Sequence, residues 1–106
     1  MSSVSQRADE LRAMIGSNRV VLSEILERYH AANPRIFGSV ARGDARQTSD
    51  VDVLVDLVPG AGNDLLRLAG IGEEFSRVLG VRVDVVAEDL LRETVAATVR
   101  KDAVAL

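Results

Sequence analysis

Near the N-terminus, apolar residues recur at helical spacing. Ala8, Leu11 and Ile15 fall on one side of a segment running from Ser5 to Ile15, which predicts a short amphipathic helix. Gly16-Ser17-Asn18 interrupts it. Val21, Leu22, Ile25, Leu26 and Tyr29 form the stripe of a second helix from Arg19 to His30, and Asn33-Pro34 breaks it. The period then shortens. Arg35 to Phe37 is a short strand candidate, a turn of helix follows at Val40 to Arg42, and Gly43 to Thr48 is a polar loop. Val51 to Val58 is rich in β-branched residues and predicts a strand. After a Pro59-Gly60-Ala61-Gly62 turn, Asn63 or Asp64 caps a helix running to about Leu79. Its expected buried face is Leu65, Leu68, Ala69, Gly72, Phe75 and Leu79. Gly80 ends it, Val81 to Ala87 is a third strand, and a last helix is expected from about Asp89 to the end, with Leu91, Val95, Val99 and Ala103 on one side. The order α-α-β-β-α-β-α predicts an α/β (α+β) fold, a small mixed β-sheet covered by helices.

Alternation within the strands raises the chemical question. Side chains of a strand point to opposite faces in turn. Val51, Val53, Val55 and Leu57 share a face suited to packing under helices; Asp50, Asp52, Leu54 and Asp56 share the other. In "VRVDVV", Val81, Val83 and Val85 face one way and Arg82, Asp84 and Val86 the other. If the two strands are neighbours, Asp84 lies beside Asp50 and Asp52. Clustered carboxylates repel one another, and a divalent cation removes the repulsion; Mg²⁺ prefers such oxygen ligands and keeps positions for water and phosphate. A solvated strand face with scattered aspartates is the plainer alternative, and Asp-x-Asp alone does not decide between them.

Composition narrows the setting. The chain has 106 residues, 47% of them hydrophobic, which fits one domain over 1–106: N-terminal helices in 1–32 and a core in 33–106. It has no cysteine, so disulfides and thiolate metal sites are excluded, and a cytoplasmic location is expected. No apolar run approaches the ~20 residues of a membrane span, so no membrane partner is expected. The formal net charge of -3 argues against direct nucleic-acid binding, which draws on clustered cations.

Upstream of the acids stands Gly38-Ser39. Glycine permits close approach of the backbone to a ligand, and a serine hydroxyl with neighbouring amides suits an anion. Alone this pair is a turn; together with the carboxylates it describes a phosphate half and a metal half of one nucleotide site. Gly-Ser, ten residues, then Asp-x-Asp within a strand resembles the nucleotidyltransferase superfamily of DNA polymerase beta. "FGSVARGDARQTSDVDVLVDL" is similar to its small prokaryotic branch, the minimal nucleotidyltransferases (MNT). "VRVDVV" supplies a third acid, and "LRETVAATVRKDAVAL" is similar to that branch's C-terminal end. The resemblance covers about Asn33 to Leu106.

The resemblance implies roles. Gly38 and Ser39 grip a nucleoside triphosphate, and Arg42 neutralises phosphate charge or anchors the loop, a plain surface arginine being the alternative. Asp50 and Asp52 bind two Mg²⁺ ions; Asp84 joins one of them and helps deprotonate the attacking hydroxyl. It further implies an antitoxin that transfers AMP from ATP to a hydroxyl, a tyrosine, of a cognate HEPN toxin. Two alternatives stand beside it: an antitoxin that works by occluding the toxin without catalysis, and a nucleotidyltransferase acting on a small molecule. Other features are left structural. His30 is a helix-terminal residue. Asp56, ~13 Å beyond Asp52 along the strand, is a strand-end charge. Asp44 is a surface residue, and Gly60-Ala61-Gly62 lacks the third glycine and the lysine of phosphate loops. The apolar tail from Ala103 to Leu106 closes the core or meets a partner.

Overall fold

The computed structural model describes residues 3–43, 50–91, 97, 99–101 and 103–106. Two helices, α1 (Ser3–Ser17) and α2 (Arg19–Arg28), lead into strand β1 (Ala31–Phe37) and a short helix α3 (Gly38–Arg42). Strand β2 (Val51–Leu57), helix α4 (Asp64–Leu79) and strand β3 (Val83–Ala87) follow, then a 3-10 turn (Glu88–Leu90) and a two-residue strand β4 (Val104–Ala105). The sheet has the order β3-β2-β1-β4. β1 runs antiparallel to both β2 and β4, whereas β2 and β3 are parallel, joined through α4 as a parallel pair requires. The mixed α/β architecture expected from the pattern is the one observed. Among the described residues no helix is long and apolar enough to cross a membrane.

One face of the sheet carries the core. Val51, Val53 and Val55 are fully buried and cluster with Ile36, Val83 and Ala87 beneath Leu11 and Ile15 of α1, Leu22, Ile25 and Leu26 of α2, and Leu68, Ile71, Phe75 and Leu79 of α4. The predicted stripes of α1 and α2 are therefore the buried ones. Asn63 caps α4 as expected, its side-chain oxygen accepting from the Leu66 amide at 3.0 Å. The buried face of α4 needs correction. Leu65 is 72% exposed and Ala69 is also exposed, while Ile71 and Arg67 turn inward. Arg67 spans the start of α4, pairing with Asp64 at 2.8 Å and donating to the carbonyls of Tyr29 and His30 just past α2. The His30 carbonyl also accepts from the Val58 amide at 2.9 Å, so Arg67 adds a charged donor to carbonyls at the end of α2, and its long stem takes the buried position in place of a leucine.

Two further expectations are overturned. Asn33-Pro34 does not stand between helix and strand; β1 runs through it, with an irregular register between Ala32 and Arg35. Asn33 takes φ 55, which asparagine tolerates, and the bulge accommodates a proline that offers no amide. The C-terminal helix does not continue to the end either. Glu88–Leu90 is a 3-10 turn, residues 97 and 99–101 are helical, and Val104–Ala105 pairs with Arg35 and Ile36 of β1. The Leu106 amide donates to Pro34 at 3.2 Å and Leu106 packs on the core, so the tail closes the sheet. The expectations for Asp44 and Val95 lie outside the described residues.

Helix packing explains one of the glycines in α4. A β-carbon at Gly70 would lie 2.5–2.7 Å from the ring and hydroxyl of Tyr29, which packs α2 against α4. Gly70→Ala is expected to destabilise the fold by about 1–3 kcal/mol, overpacking outweighing the better helix former. Gly16→Ala in α1 meets nothing within 4 Å and should instead stabilise by about 0.5–1 kcal/mol. Urea-unfolding midpoints check the opposite signs.

Candidate active site

Strand register brings the sequence-predicted residues together. Phe37, the last residue of β1, pairs with Asp52, and Asp52 pairs on its other side with Asp84. The condition that β2 and β3 be neighbours, which alternation left open, is thus met, with two of the acids directly opposed. Immediately after Phe37 the chain turns at Gly38, whose φ of 74° favours glycine. A β-carbon on Gly38 would sit 2.5 Å from Asp52 Oδ2. The backbone of the Gly38-Ser39 turn therefore lies against the central carboxylate, and only glycine leaves that space.

What holds the turn in place was not apparent in the sequence. Val40 is fully buried and anchors α3 to the core. Arg12 of α1 donates through Nε to the Val40 carbonyl at 3.2 Å and through a terminal nitrogen to the Ala41 carbonyl. These oxygens lie at the end of α3, where a cation is favoured, and the Val40 carbonyl also accepts from the Gly43 amide at 3.3 Å. Twenty-eight residues separate Arg12 from Val40, and no local pattern links them.

Asp50 immediately precedes β2 and Arg82 immediately precedes the residue that opens β3. The Val51 amide donates to the Arg82 carbonyl at 3.0 Å, tying the two strand entries together. Arg82 Nε then stands 3.7 Å from Asp50 Oδ2 and 3.5 Å from Asp84 Oδ1. Arg82 is the second site residue that pattern reading missed; it was assigned a face but no role. Asp52 carries the electrostatic load. Burial, then the charges of Asp84 and Asp50, push its carboxyl above its ordinary value, while Arg42 pulls it back. Arg42 is exposed at the end of α3.

The residues left structural behave so. Asp56 pairs with Arg35 at 2.8 Å and accepts from Asn33 at 3.0 Å. Arg35 continues to Glu88 at 3.2 Å, and Glu88 to Arg100 at 2.7 Å, an ion-pair network along the other end of the same sheet face. His30 is exposed just beyond α2, and Gly60-Ala61-Gly62 lies in the loop between β2 and α4.

Among the described residues no three His, Cys, Asp or Glu side chains are arranged to hold a metal ion. The donor set still suits a hard divalent cation. Asp50, Asp52 and Asp84 offer only carboxylate oxygens, Asp52 bears the repulsion of both neighbours, and Gly38 places no side chain against it. Asp50 and Asp84 are directed instead at the guanidinium of Arg82.

A small mixed sheet with a Gly-Ser turn against the acids of its parallel strands is the polymerase beta-like nucleotidyltransferase fold. The chain belongs to the nucleotidyltransferase domain family, whose model matches residues 19–105. It is 33% identical over 98 residues to the protein adenylyltransferase MntA of Thermococcus cleftensis, covering 91% of this chain and 92% of that one. A solved structure assigned as a minimal nucleotidyltransferase superposes with a TM-score of 0.74 at 37% identity, covering 93% of this chain and 95% of the other. A chain from a toxin-antitoxin crystal structure with AMP-PNP shares the fold, with a TM-score of 0.68 at 18% identity over 83% of this chain and 69% of that one.

Proposed function

We propose that this chain is an antitoxin that transfers AMP from ATP to a hydroxyl of a partner protein, a tyrosine of a HEPN-family toxin, and thereby silences it. The observation that carries the reading is the register of Asp52 opposite Asp84 on parallel strands, with the Gly38 turn against Asp52. The likeness to a protein adenylyltransferase supports adenylyl transfer with a protein acceptor, and the fold shared with a toxin-antitoxin chain supports the class of partner.

Asp50 and Asp52 would hold two Mg²⁺ ions, with Asp84 joining one. Bound metals supply charge stabilisation to the attacking and leaving oxygens of an in-line displacement at the α-phosphorus. The residues of the chain do the rest. The Gly38-Ser39 turn and the Ser39 hydroxyl bind the triphosphate, and Arg42 offsets its negative charge. Asp84, whose side chain is 45% exposed, is open to an incoming acceptor and takes the hydroxyl proton as the new phosphorus–oxygen bond forms. Pyrophosphate leaves.

The test uses α-labelled ATP, Mg²⁺ and the product of the adjacent gene. Label is expected on the partner, lost with Asp50→Asn and Asp52→Asn, together with loss of toxin neutralisation in cells. Neutralisation that survives both substitutions would overturn the catalytic reading in favour of occlusion. Label on a small molecule in place of the partner would move the acceptor to that class.

A further inference from the structure

We infer that Arg82 is a charge gate that couples metal loading to nucleotide arrival; this rests on the nucleotidyltransferase reading of the same site. Three observations converge on it. Arg82 Nε reaches both Asp50 at 3.7 Å and Asp84 at 3.5 Å, the outer two of the three acids. The backbone bond from the Val51 amide to the Arg82 carbonyl fixes its base at the strand entries, so the side chain is tethered at the site. The side chain is 75% exposed and packs no core, so it is free to swing.

The charge balance gives the function. Among the described residues, the charge of the three carboxylates is partly offset by Arg82 beside Asp50 and Asp84 and by Arg42 acting on Asp52. A divalent cation entering alone must displace Arg82 from two of its ligands and then sit beside its positive charge. A triphosphate entering with the metals restores the balance and offers the released guanidinium a phosphate oxygen. Metal alone therefore binds weakly, and metal and nucleotide strengthen one another reciprocally. The same geometry explains why Asp50 and Asp84 both stand beside Arg82 Nε.

Mn²⁺ alone is the probe, titrated on nucleotide-free protein by the paramagnetic resonance of the free ion. Arg82→Ala is expected to bind Mn²⁺ about three- to tenfold more tightly than wild type, the scale of removing one partly screened positive charge next to a divalent ion. Arg82→Lys, which keeps the charge, should stay near wild type. Affinity for a non-hydrolysable ATP analogue, measured with and without Mn²⁺, should show a smaller metal-dependent gain in Arg82→Ala. Mn²⁺ binding that is unchanged or weaker in Arg82→Ala overturns the gate, as does an Arg82→Lys protein that binds as tightly as the alanine variant. Asp52→Asn separates this from the underlying reading: if it leaves Mn²⁺ binding unchanged, the metal site itself is misplaced. If it abolishes binding while Arg82→Ala has no effect, only the gate fails.

Discussion

Asp52→Asn is expected to abolish nucleotidyl transfer while raising the melting temperature of the metal-free protein. The loss follows from its position: Asp52 is the acid against which both the Gly38 turn and Asp84 are placed. On the proposed function, removing its charge would withdraw the central ligand proposed for the metals and should lower the rate by at least ~10²–10³-fold, the scale of losing one preorganised electrostatic stabiliser. The gain in stability follows from the same site. Burial and the charges of Asp84 and Asp50 raise the Asp52 carboxyl above its unfolded value, so folding disfavours its ionised form. That penalty is in full force above the folded pKa and fades as pH falls through it toward the unfolded value of about 3.9. An asparagine of nearly the same shape never carries the penalty. Thermal melts at neutral and mildly acidic pH should show the variant melting above wild type, with the gap narrowing on acidification. Mg²⁺ with a non-hydrolysable ATP analogue should raise the wild-type midpoint and leave the variant's unmoved, because only a ligand bound to the folded state shifts it. A variant that melts below wild type at neutral pH would show that Asp52 supports the fold, contrary to the electrostatic account.

A site that costs stability is also one that a sequence displays openly, and much of this one was legible for that reason. An aspartate at alternate positions of a valine strand has no packing explanation, so the eye stops at Asp50 and Asp52. The alternation of "VRVDVV" places Asp84 on the matching face, and the observed register puts it directly opposite Asp52. Asp56 shares that periodicity, and distance along the strand was enough to set it aside; its pairing with Arg35 agrees. The helical stripes were equally plain where apolar residues alone compete for the buried side, as at Leu11 and Ile15.

Legibility ended where partners are remote in sequence. Arg67 takes a buried place on α4 where it donates to the carbonyls of Tyr29 and His30, and nothing near Arg67 announces them. Arg12 steadies α3 from another element altogether. β1 passes through Asn33-Pro34 because Asp56 and the Val104–Ala105 strand lie on either side of it, a tertiary setting that overrides two breakers in a row. Arg82 was visible as a charge and invisible as a partner of Asp50, since their meeting depends on how two strand entries align.

Gly38→Ala is expected to separate the conformational role of a glycine from its role in the site. Gly38 and Gly43 bracket α3 with nearly the same backbone, φ 74 and φ 82. Alanine at either must adopt a left-handed conformation, a cost on the order of 1–2 kcal/mol. Their surroundings differ. A β-carbon at Gly43 meets nothing within 4 Å, whereas at Gly38 it would stand 2.5 Å from Asp52 Oδ2. Such a contact is impossible, and the carboxylate, at the free end of its side chain, is what gives way. Gly38→Ala should therefore lose roughly as much stability as Gly43→Ala, less whatever is recovered by pushing Asp52 toward water. On the proposed function it should lose activity by at least ~10²-fold, since displacing the proposed metal-binding carboxylate by about 1 Å would forfeit the alignment of the reacting atoms. Gly43→Ala should retain activity within a few-fold. The double variant Gly38→Ala/Asp52→Asn supplies the decisive coupling. If the alanine acts by evicting the carboxylate, adding it to a protein already lacking that charge should cost almost no further activity, and the two losses should be far from additive. Full additivity would instead assign the Gly38 effect to the turn's own contacts with the nucleotide.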